Sequence, residues 1–303
     1  MCQQIDMKPD VQIPVPAARL FKWNVAMSVF HTTFAIVVLA AGQIDLKLPV
    51  YGSKMQLVVL ANETDDDNGW KYVPLQPDRV GWLHATVFTA IFFFCSAFAH
   101  FGAAFLWKKQ YLAGLASAYA PFRWIEYSVS ATVMILILGY IAGTIYLNML
   151  VLLCALTFMT MSFGHLHEVI CRPVSLQQWS GPSKLWRLQA HLLGYIPQIF
   201  AWSMIISQFL ANANMSTTNS FGEHQQMPSF VYGIVFAEML IFWSFGLVQL
   251  VVTLRPPSRY CEGEIMYMWL SLFAKGYLGL MLLSNVLMAG GYSEIFEDDA
   301  VVV

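Results

Sequence analysis

The stretch "MWLSLFAKGYLGLMLLSN", residues 268–285, decides the fold because it is an apolar run with one lysine, Lys275, near its centre. About twenty apolar residues in a helix cross the roughly 30 Å of hydrocarbon in a bilayer. A charged side chain at that depth is costly, so it is treated as functional and needs a named acidic partner. The stretch therefore predicts a membrane helix with an acid-paired lysine inside it.

Apolar runs of this length recur along the chain, and we count seven of them. Of the 303 residues, 58% are hydrophobic and only 11% are charged, against roughly 25% charged residues in a soluble domain. We therefore predict an all-α membrane protein, with residues 1–303 forming a single seven-helix domain in membrane lipid. The predicted helices cover residues 21–44, 81–107, 114–144, 146–170, 187–211, 229–254 and 265–289.

Basic residues predict the orientation of the bundle, because loops kept in the cytoplasm carry an excess of lysine and arginine. With the N-terminus inside, ten of these residues fall on the inner side and four on the outer side. We therefore expect a cytoplasmic N-terminus and an extracellular C-terminus. The inner set is Lys8, Arg19, Lys22, Lys108, Lys109, Arg172, Lys184, Arg187, Arg255 and Arg259; the outer set is Lys47, Lys54, Lys71 and Arg79.

The long segment after the first predicted helix has room for a small structure of its own. Its stretch "LPVYGSKMQLVVLAN" joins β-branched residues to turn residues, which predicts a β-hairpin over the outer face. Glycosylation sequons begin at Asn62 and Asn214 on that side. The basic residues form no dense patch, so nucleic acid is not an expected partner.

Glu126 in "PFRWIEYSVSATVMI" is the acid that we expect opposite Lys275. Lys275 lies roughly 15 Å along its helix from the inner end, at 1.5 Å per residue, and the helix of Glu126 also starts on the inner side. Two interpretations stay open. The pair either ties two helices together, or Lys275 forms a Schiff base with an aldehyde and Glu126 is its counterion. Seven helices with one lysine inside the last favour retinal as that aldehyde.

Neighbouring side chains agree with a chromophore pocket. Ser271 precedes Lys275 by one turn and Ser130 follows Glu126 by one turn, so each shares a face with its charged neighbour. Arg123 either approaches Glu126 or extends toward the inner surface. Further residues that we assign to the pocket are Met134 on the third predicted helix and Phe242 and Gln249 on the sixth.

Other ionisable residues predict proton sites. His31 and His100 lie in the inner halves of the first two predicted helices. Each either bonds a backbone carbonyl or joins Arg123 in a polar cavity that accepts the Schiff-base proton. Glu168 ends the fourth predicted helix, with His165 on its face and His167 elsewhere, which favours a hydrogen-bond network over a metal site.

Glu238 is a carboxylate in the outer half of the sixth predicted helix. It is either protonated and hydrogen-bonded, or it carries protons between the chromophore region and the outside. In the second case Glu238 and Glu168 lie on a proton path. The protein would then be a light-activated proton channel or transporter.

At these residues the sequence resembles the heliorhodopsins, retinal proteins inserted opposite to ordinary microbial rhodopsins. The resemblance rests on "FRWIEYS", "FVYGIVFAEMLIFWSFGLVQ" and "LSLFAK", and extends to "VFH", "SAFAH" and "FGHLHE". It implies a rhodopsin-like bundle, all-trans retinal on Lys275, Glu126 as counterion and Ser271 beside the linkage. A polar inner cavity around His31, His100 and Arg123 is also implied. The chain departs from the family's pattern at Trp243 and Glu238.

The resemblance further implies a homodimer and a photosensor with a slow photocycle and an unknown signalling partner, in the plasma membrane. Some viral members of that family are thought to pass protons, which keeps the transport alternative open. A hormone-type receptor is disfavoured, because "DRY", "NPxxY" and an outer disulfide are missing. Nor do the scattered serines and histidines form a nucleophile–base constellation, so we expect no enzymatic activity.

Overall fold

The computed structural model of the protein describes residues 12–60, 69–171, 187–214, 217–218, 224–225 and 227–288. Within these residues, seven helices are long and apolar enough to cross a membrane. The number agrees with the seven predicted spans, and the chain is an integral, multi-pass membrane protein. The sequon that begins at Asn62, residues 215 and 216 of the sequon that begins at Asn214, and residues 289–303 lie outside the described residues.

The helices begin and end within a few residues of their predicted positions, except near residue 114. In chain order they are α1 (Ala17–Ala41), α2 (Ala85–Phe101), α3 (Lys108–Ala116), α4 (Pro121–Ile141), α5 (Leu147–Cys171), α6 (Gln189–Ala213), α7 (Ser229–Leu254) and α8 (Tyr260–Leu282). A π-helical turn, Gly102–Leu106, extends α2. A 3₁₀ turn, Pro257–Arg259, precedes α8, and a second π-helical turn, Leu283–Leu287, follows it.

The predicted third span, residues 114–144, is wrong at its start. The apolar composition continues through "AGLASAYA", but α3 ends at Ala116 and α4 starts only at Pro121. Between them Ala118 has a φ of 54°, a left-handed conformation that breaks a helix. Proline favours the first position of a new helix, because its missing N–H has no helical partner there. The short helix α3 therefore lies outside the seven spans.

The predicted hairpin is confirmed, and it is part of a larger arrangement of four strands. Strand β2 (Met55–Leu60) pairs antiparallel with β3 (Gly69–Pro74) as a hairpin. Strand β1 (Lys47–Gly52) pairs with β4 (Asp78–His84), with an irregularity between Val50 and Tyr51. A third pair joins β5 (Thr217–Thr218) to β6 (His224–Gln225). Because β1 and β4 enclose the hairpin in sequence, they anchor it to the ends of α1 and α2.

Two apolar clusters hold the bundle together. The larger one includes Leu48, Val50 and Leu83 from the strands, together with side chains from the long helices. The smaller one packs Tyr111 and Leu115 of α3 with residues of α1 and α8. We call the end that carries β1–β4 the strand end, and the opposite end, where α3 packs, the α3 end.

Candidate functional site

Lys275 of α8 and Glu126 of α4 form a buried ion pair in the bundle, as predicted. Lys275 Nζ lies 3.2 Å from Glu126 Oε1, and the two side chains are 3% and 6% exposed. Removing two charges from water is costly, and their attraction compensates only when further hydrogen bonds complete the pair. The hydrogen bonds that surround both groups therefore decide whether the buried ion pair is stable.

Three hydroxyl groups complete this pair. Ser271 Oγ accepts a hydrogen bond from Lys275 Nζ at 2.9 Å, and Ser130 Oγ donates to Glu126 Oε1 at 2.7 Å. Ser96 of α2 donates to the same carboxylate oxygen. The sequence reasoning missed Ser96, although it lies one helical turn before His100, and that spacing could have placed both on one face.

An aromatic cavity begins beside this pair. Its walls carry several aromatic side chains, among them Trp124, Trp243 and Phe245. The ring of Tyr127, which lines it, has its centroid 5.3 Å from Lys275 Nζ. Phe242 and Gln249, both predicted pocket residues, line it as well. Met134, the other predicted residue, is buried in the larger apolar cluster.

These residues fit a retinal chromophore. A buried amine can form a covalent bond with an aldehyde, and a carboxylate at ion-pair distance can balance the charge of the linkage. The aromatic side chains of the adjoining cavity can pack against the apolar polyene of retinal. The site thus combines an attachment point, a counterion and an apolar pocket.

The two predicted proton-site histidines lie against each other beside the pair. The rings of His31 and His100 stack with centroids 5.8 Å apart. His31 is fully buried, and neither ring nitrogen has a hydrogen-bond partner among the described residues. His100 Nδ1 lies 2.8 Å from Asn24 Oδ1. His100, Arg123 and Glu126 also line a second, polar cavity of about 390 Å³.

Arg123 extends toward the α3 end and does not pair with Glu126. Its guanidinium lies 2.5 Å from Glu168 Oε1 and forms a second ion pair with Glu264. Trp124 Nε1 donates to Glu168 Oε2 at 2.8 Å. Glu168 therefore belongs to a buried hydrogen-bond network, as favoured from the sequence. Glu264 was missed, although an acid at the start of the last span was a visible signal.

A polar chain joins the histidine pair to this cluster. Asn24 Nδ2 lies 3.4 Å from the Tyr111 hydroxyl, and that hydroxyl donates to Glu264 Oε1 at 3.0 Å. Glu264 in turn pairs with Arg123. We call this set the polar chain: His100, Asn24, Tyr111, Glu264, Arg123 and Glu168. It leads from the neighbourhood of the Lys275–Glu126 pair to α3.

The fourth predicted helix holds no metal site in the part of the chain that the structure describes. His165 does not join Glu168 but lies against Tyr119, with ring centroids 5.7 Å apart. His167 Nε2 lies 2.8 Å from Thr253 Oγ1. The two histidines thus face different neighbours, as their helical spacing predicted, but no hydrogen bond of His165 Nδ1 to Glu168 is present among the described residues.

Glu238 on α7 is fully buried. Neither carboxylate oxygen has a hydrogen-bond partner among the described residues, so the predicted hydrogen bond is not present there. An unpaired buried carboxylate is costly, which makes this residue a candidate for a functional group.

Solved structures of microbial rhodopsins share this fold. A light-driven proton pump from Leptosphaeria maculans has 14% identity and a TM-score of 0.58, over 90% of this chain and 96% of that chain. The thermophilic rhodopsin of Rubrobacter xylanophilus has 15% identity and a TM-score of 0.56, over 89% and 95%. Xanthorhodopsin, a light-driven ion pump with dual chromophore, has 12% identity and a TM-score of 0.58, over 95% and 99%.

The family comparison is more specific than these likenesses of fold. No curated protein matches the chain. The sequence model of the heliorhodopsin family matches residues 20–287, a range that holds Glu126, Lys275 and all of the seven spans except the first three residues of α1. The chain therefore belongs to the heliorhodopsin family and is a light-absorbing retinal protein of the membrane.

Proposed function

We propose that this heliorhodopsin is a photosensor that carries all-trans retinal on Lys275, with Glu126 as counterion. The observation that carries the proposal is the buried pair, with Lys275 Nζ 3.2 Å from Glu126 Oε1. When bound, retinal supplies absorption of visible light and a light-driven isomerisation. The protein's own residues bind it, balance its charge and respond to the change of shape.

The polar chain supports sensing as the output. A change of charge or position at the Lys275–Glu126 pair alters the field at His100, which lines the same cavity as Glu126. His100 bonds Asn24, and Asn24 reaches Tyr111 on α3. Since α3 lies outside the spans, a displacement of this helix is accessible to a partner. Many hydrogen bonds along such a chain have to rearrange, which is consistent with a slow photocycle.

The charge distribution supports the orientation in this proposal. Lys108 and Lys109 lie on α3, and an excess of basic residues is retained in the cytoplasm. The α3 end and the N-terminus then face the cytoplasm, where a signalling partner would bind. The C-terminus is extracellular in this arrangement. The family resemblance adds a homodimer in the plasma membrane.

Removing the lysine tests the chromophore assignment. Purified Lys275→Ala protein should show no visible absorption band after incubation with all-trans retinal, because the covalent attachment is lost. The matched control is Lys54→Ala, at an exposed position on the strand end, which should keep the band. A preformed Schiff base of retinal with butylamine should restore colour in Lys275→Ala if the pocket is folded. A coloured Lys275→Ala protein without the added amine would refute the assignment.

Glu238 supports a second candidate function, light-activated proton transport. Both its oxygens lack a partner among the described residues, so a proton can bind there without breaking a hydrogen bond. Glu238 lies on the strand-end side of Lys275, and the polar chain lies on the other side. Together they supply titratable groups on both sides of the chromophore. Transport would use both sets, whereas sensing needs the polar chain alone.

Photocurrents separate the two functions. Under voltage clamp, transport predicts a light-induced current that Glu238→Gln abolishes, because the amide cannot release a proton. Glu262→Gln, at an exposed position near the start of α8, should leave such a current unchanged. A coloured protein without photocurrent excludes transport and supports sensing.

A further inference from the structure

His191 is a buried polar group in the aromatic cavity that the proposed function does not use. It lies in the first turn of α6 and is 5% exposed. The cavity wall around it includes Gln249 of α7 and Gly164 of α5. His191 Nε2 has no hydrogen-bond partner among the described residues. A buried polar atom of this kind calls for an explanation.

The neighbours of His191 determine which ring nitrogen carries the proton. The Gly164 carbonyl can only accept, and Gln249 Nε2 donates to it at 2.8 Å. The other end of the amide, Gln249 Oε1, therefore faces His191 Nδ1 at 3.1 Å. Because this oxygen is also only an acceptor, the proton of His191 resides on Nδ1.

His191 Nε2 therefore carries no proton and can accept a hydrogen bond, but no described residue donates one to it. The imidazole is buried at the start of α6, where its ring packs against His167 at 5.2 Å and Tyr195 at 5.0 Å between centroids. No carboxylate contacts it among the described residues, and a charged imidazole buried in this way would be costly, so the ring is neutral. A neutral imidazole with its proton on Nδ1 needs a hydrogen-bond donor at Nε2.

The position of His191 places this acceptor at the far end of the chromophore site. Lys275 is on α8, which packs against α1 and α7, whereas α6 packs against α5 and α7. The same cavity is lined by Tyr127, which lies beside Lys275, by Phe242 of α7 and by His191 of α6. A retinal attached at Lys275 would thus direct its ring toward α5 and α6.

We propose that the aromatic cavity selects a retinal whose ring carries a hydroxyl group, and that this hydroxyl donates a hydrogen bond to His191 Nε2. The inference rests on the proposed function, because it requires retinal in this cavity. His191 is the specificity-determining residue, and Gln249 positions it by fixing its tautomer. A site that hydrogen-bonds a ligand hydroxyl discriminates against the analogue that lacks it, since the buried acceptor is then left unpaired.

Pigment formation with three retinoids tests the inference. The purified apoprotein is titrated with all-trans retinal, 3-hydroxyretinal and 4-oxoretinal, and the half-saturating concentration is read from the visible band. We expect 3-hydroxyretinal to bind about tenfold more tightly than retinal, the size of one buried hydrogen bond. 4-Oxoretinal should gain nothing from His191, because its oxygen has no proton to donate.

Two variants test whether a preference for 3-hydroxyretinal over retinal depends on His191. In His191→Phe the ratio of the half-saturating concentrations of retinal and 3-hydroxyretinal should fall to about one, as the acceptor is gone. His165→Phe, a half-buried histidine on α5, should keep the ratio of the unaltered chain. A hydroxyl preference that survives in His191→Phe would overturn the assignment.

The remaining outcomes are also decisive. Equal affinity for retinal and 3-hydroxyretinal in the unaltered chain would overturn the inference, because a water molecule would then satisfy His191. A preference for 4-oxoretinal would overturn the acceptor assignment. Colour without any ring preference contradicts this inference alone, whereas absence of colour with every retinoid contradicts the proposed function as well.

Discussion

At the scale of single residues, Glu126 Oε1 is the most heavily engaged atom of the site. It pairs with Lys275 and accepts hydrogen bonds from Ser96 and Ser130. All three groups stabilise the ionised carboxylate. Ser130 was predictable, because it lies one turn from Glu126 on the same helix. Ser96 was not assigned: its spacing from His100 could have placed both residues on one face of α2, but its contact with Glu126 depends on how α2 packs against α4.

Replacing Glu126, the proposed counterion, should change the colour. Glu126→Gln is expected to shift the absorption band to longer wavelength, because the lost negative charge no longer stabilises the ground-state charge near Lys275. Glu126→Asp keeps a charge and should shift the band less. Absorbance spectra of the purified, retinal-reconstituted variants measure both shifts. An unchanged band in Glu126→Gln would indicate a different counterion.

At the scale of elements, α3 is the part of the structure that sequence patterns did not predict. It has nine residues, too few to be stable alone, so its packing against α1 and α8 holds it in place. Tyr111 is buried there, and its hydroxyl links Asn24 and Glu264. The apolar run simply continues past residue 114, which hid the break before Pro121. Only the tertiary contacts separate α3 from the span that follows.

Removing the Tyr111 hydroxyl should loosen α3. Tyr111→Phe loses the hydrogen bond to Glu264, which is worth about 1 kcal/mol. The backbone amides of α3 should therefore exchange hydrogen roughly fivefold faster, as local opening becomes easier. Hydrogen-exchange mass spectrometry measures this, with Tyr232→Phe at an exposed position of α7 as the control. Unchanged exchange in α3 would show that Tyr111 does not hold this helix.

At the scale of the whole molecule, the distribution of basic residues between the two ends of the bundle favours one orientation in the membrane. Lys108 and Lys109 are at the α3 end, and the strands cover the other end. The family and the seven spans do not themselves fix which end faces the cytoplasm. Orientation is therefore a prediction from charge, and it decides which side a signalling partner would approach.

Impermeant labelling tests that orientation. In intact cells, a membrane-impermeant maleimide should label Lys54→Cys at the strand end and should not label Lys109→Cys on α3. After permeabilisation both should react. The unaltered chain gives the background from its own cysteines, of which Cys171 and Cys261 are buried. Labelling of Lys109→Cys alone in intact cells would reverse the proposed topology.

The sequence by itself determined the class of the protein, the number of spans and the identity of the central pair. These follow from composition and helical spacing, because a bilayer requires long apolar helices and makes an unpaired buried charge costly. Sequence spacing also placed Ser130 and Ser271 beside their charged neighbours, since residues one turn apart share a helix face.

Only the tertiary structure decided which helices meet and which polar atoms are satisfied. From the sequence, the side chain of Arg123 could extend toward Glu126 or toward the α3 end. In the structure it extends to the α3 end, because it forms ion pairs there with Glu168 and Glu264. His191 acquired its free acceptor because α5, α6 and α7 bring Gly164 and Gln249 beside it. The physical reason is that hydrogen bonds between helices depend on packing in three dimensions, whereas the pattern along one helix records only its own faces.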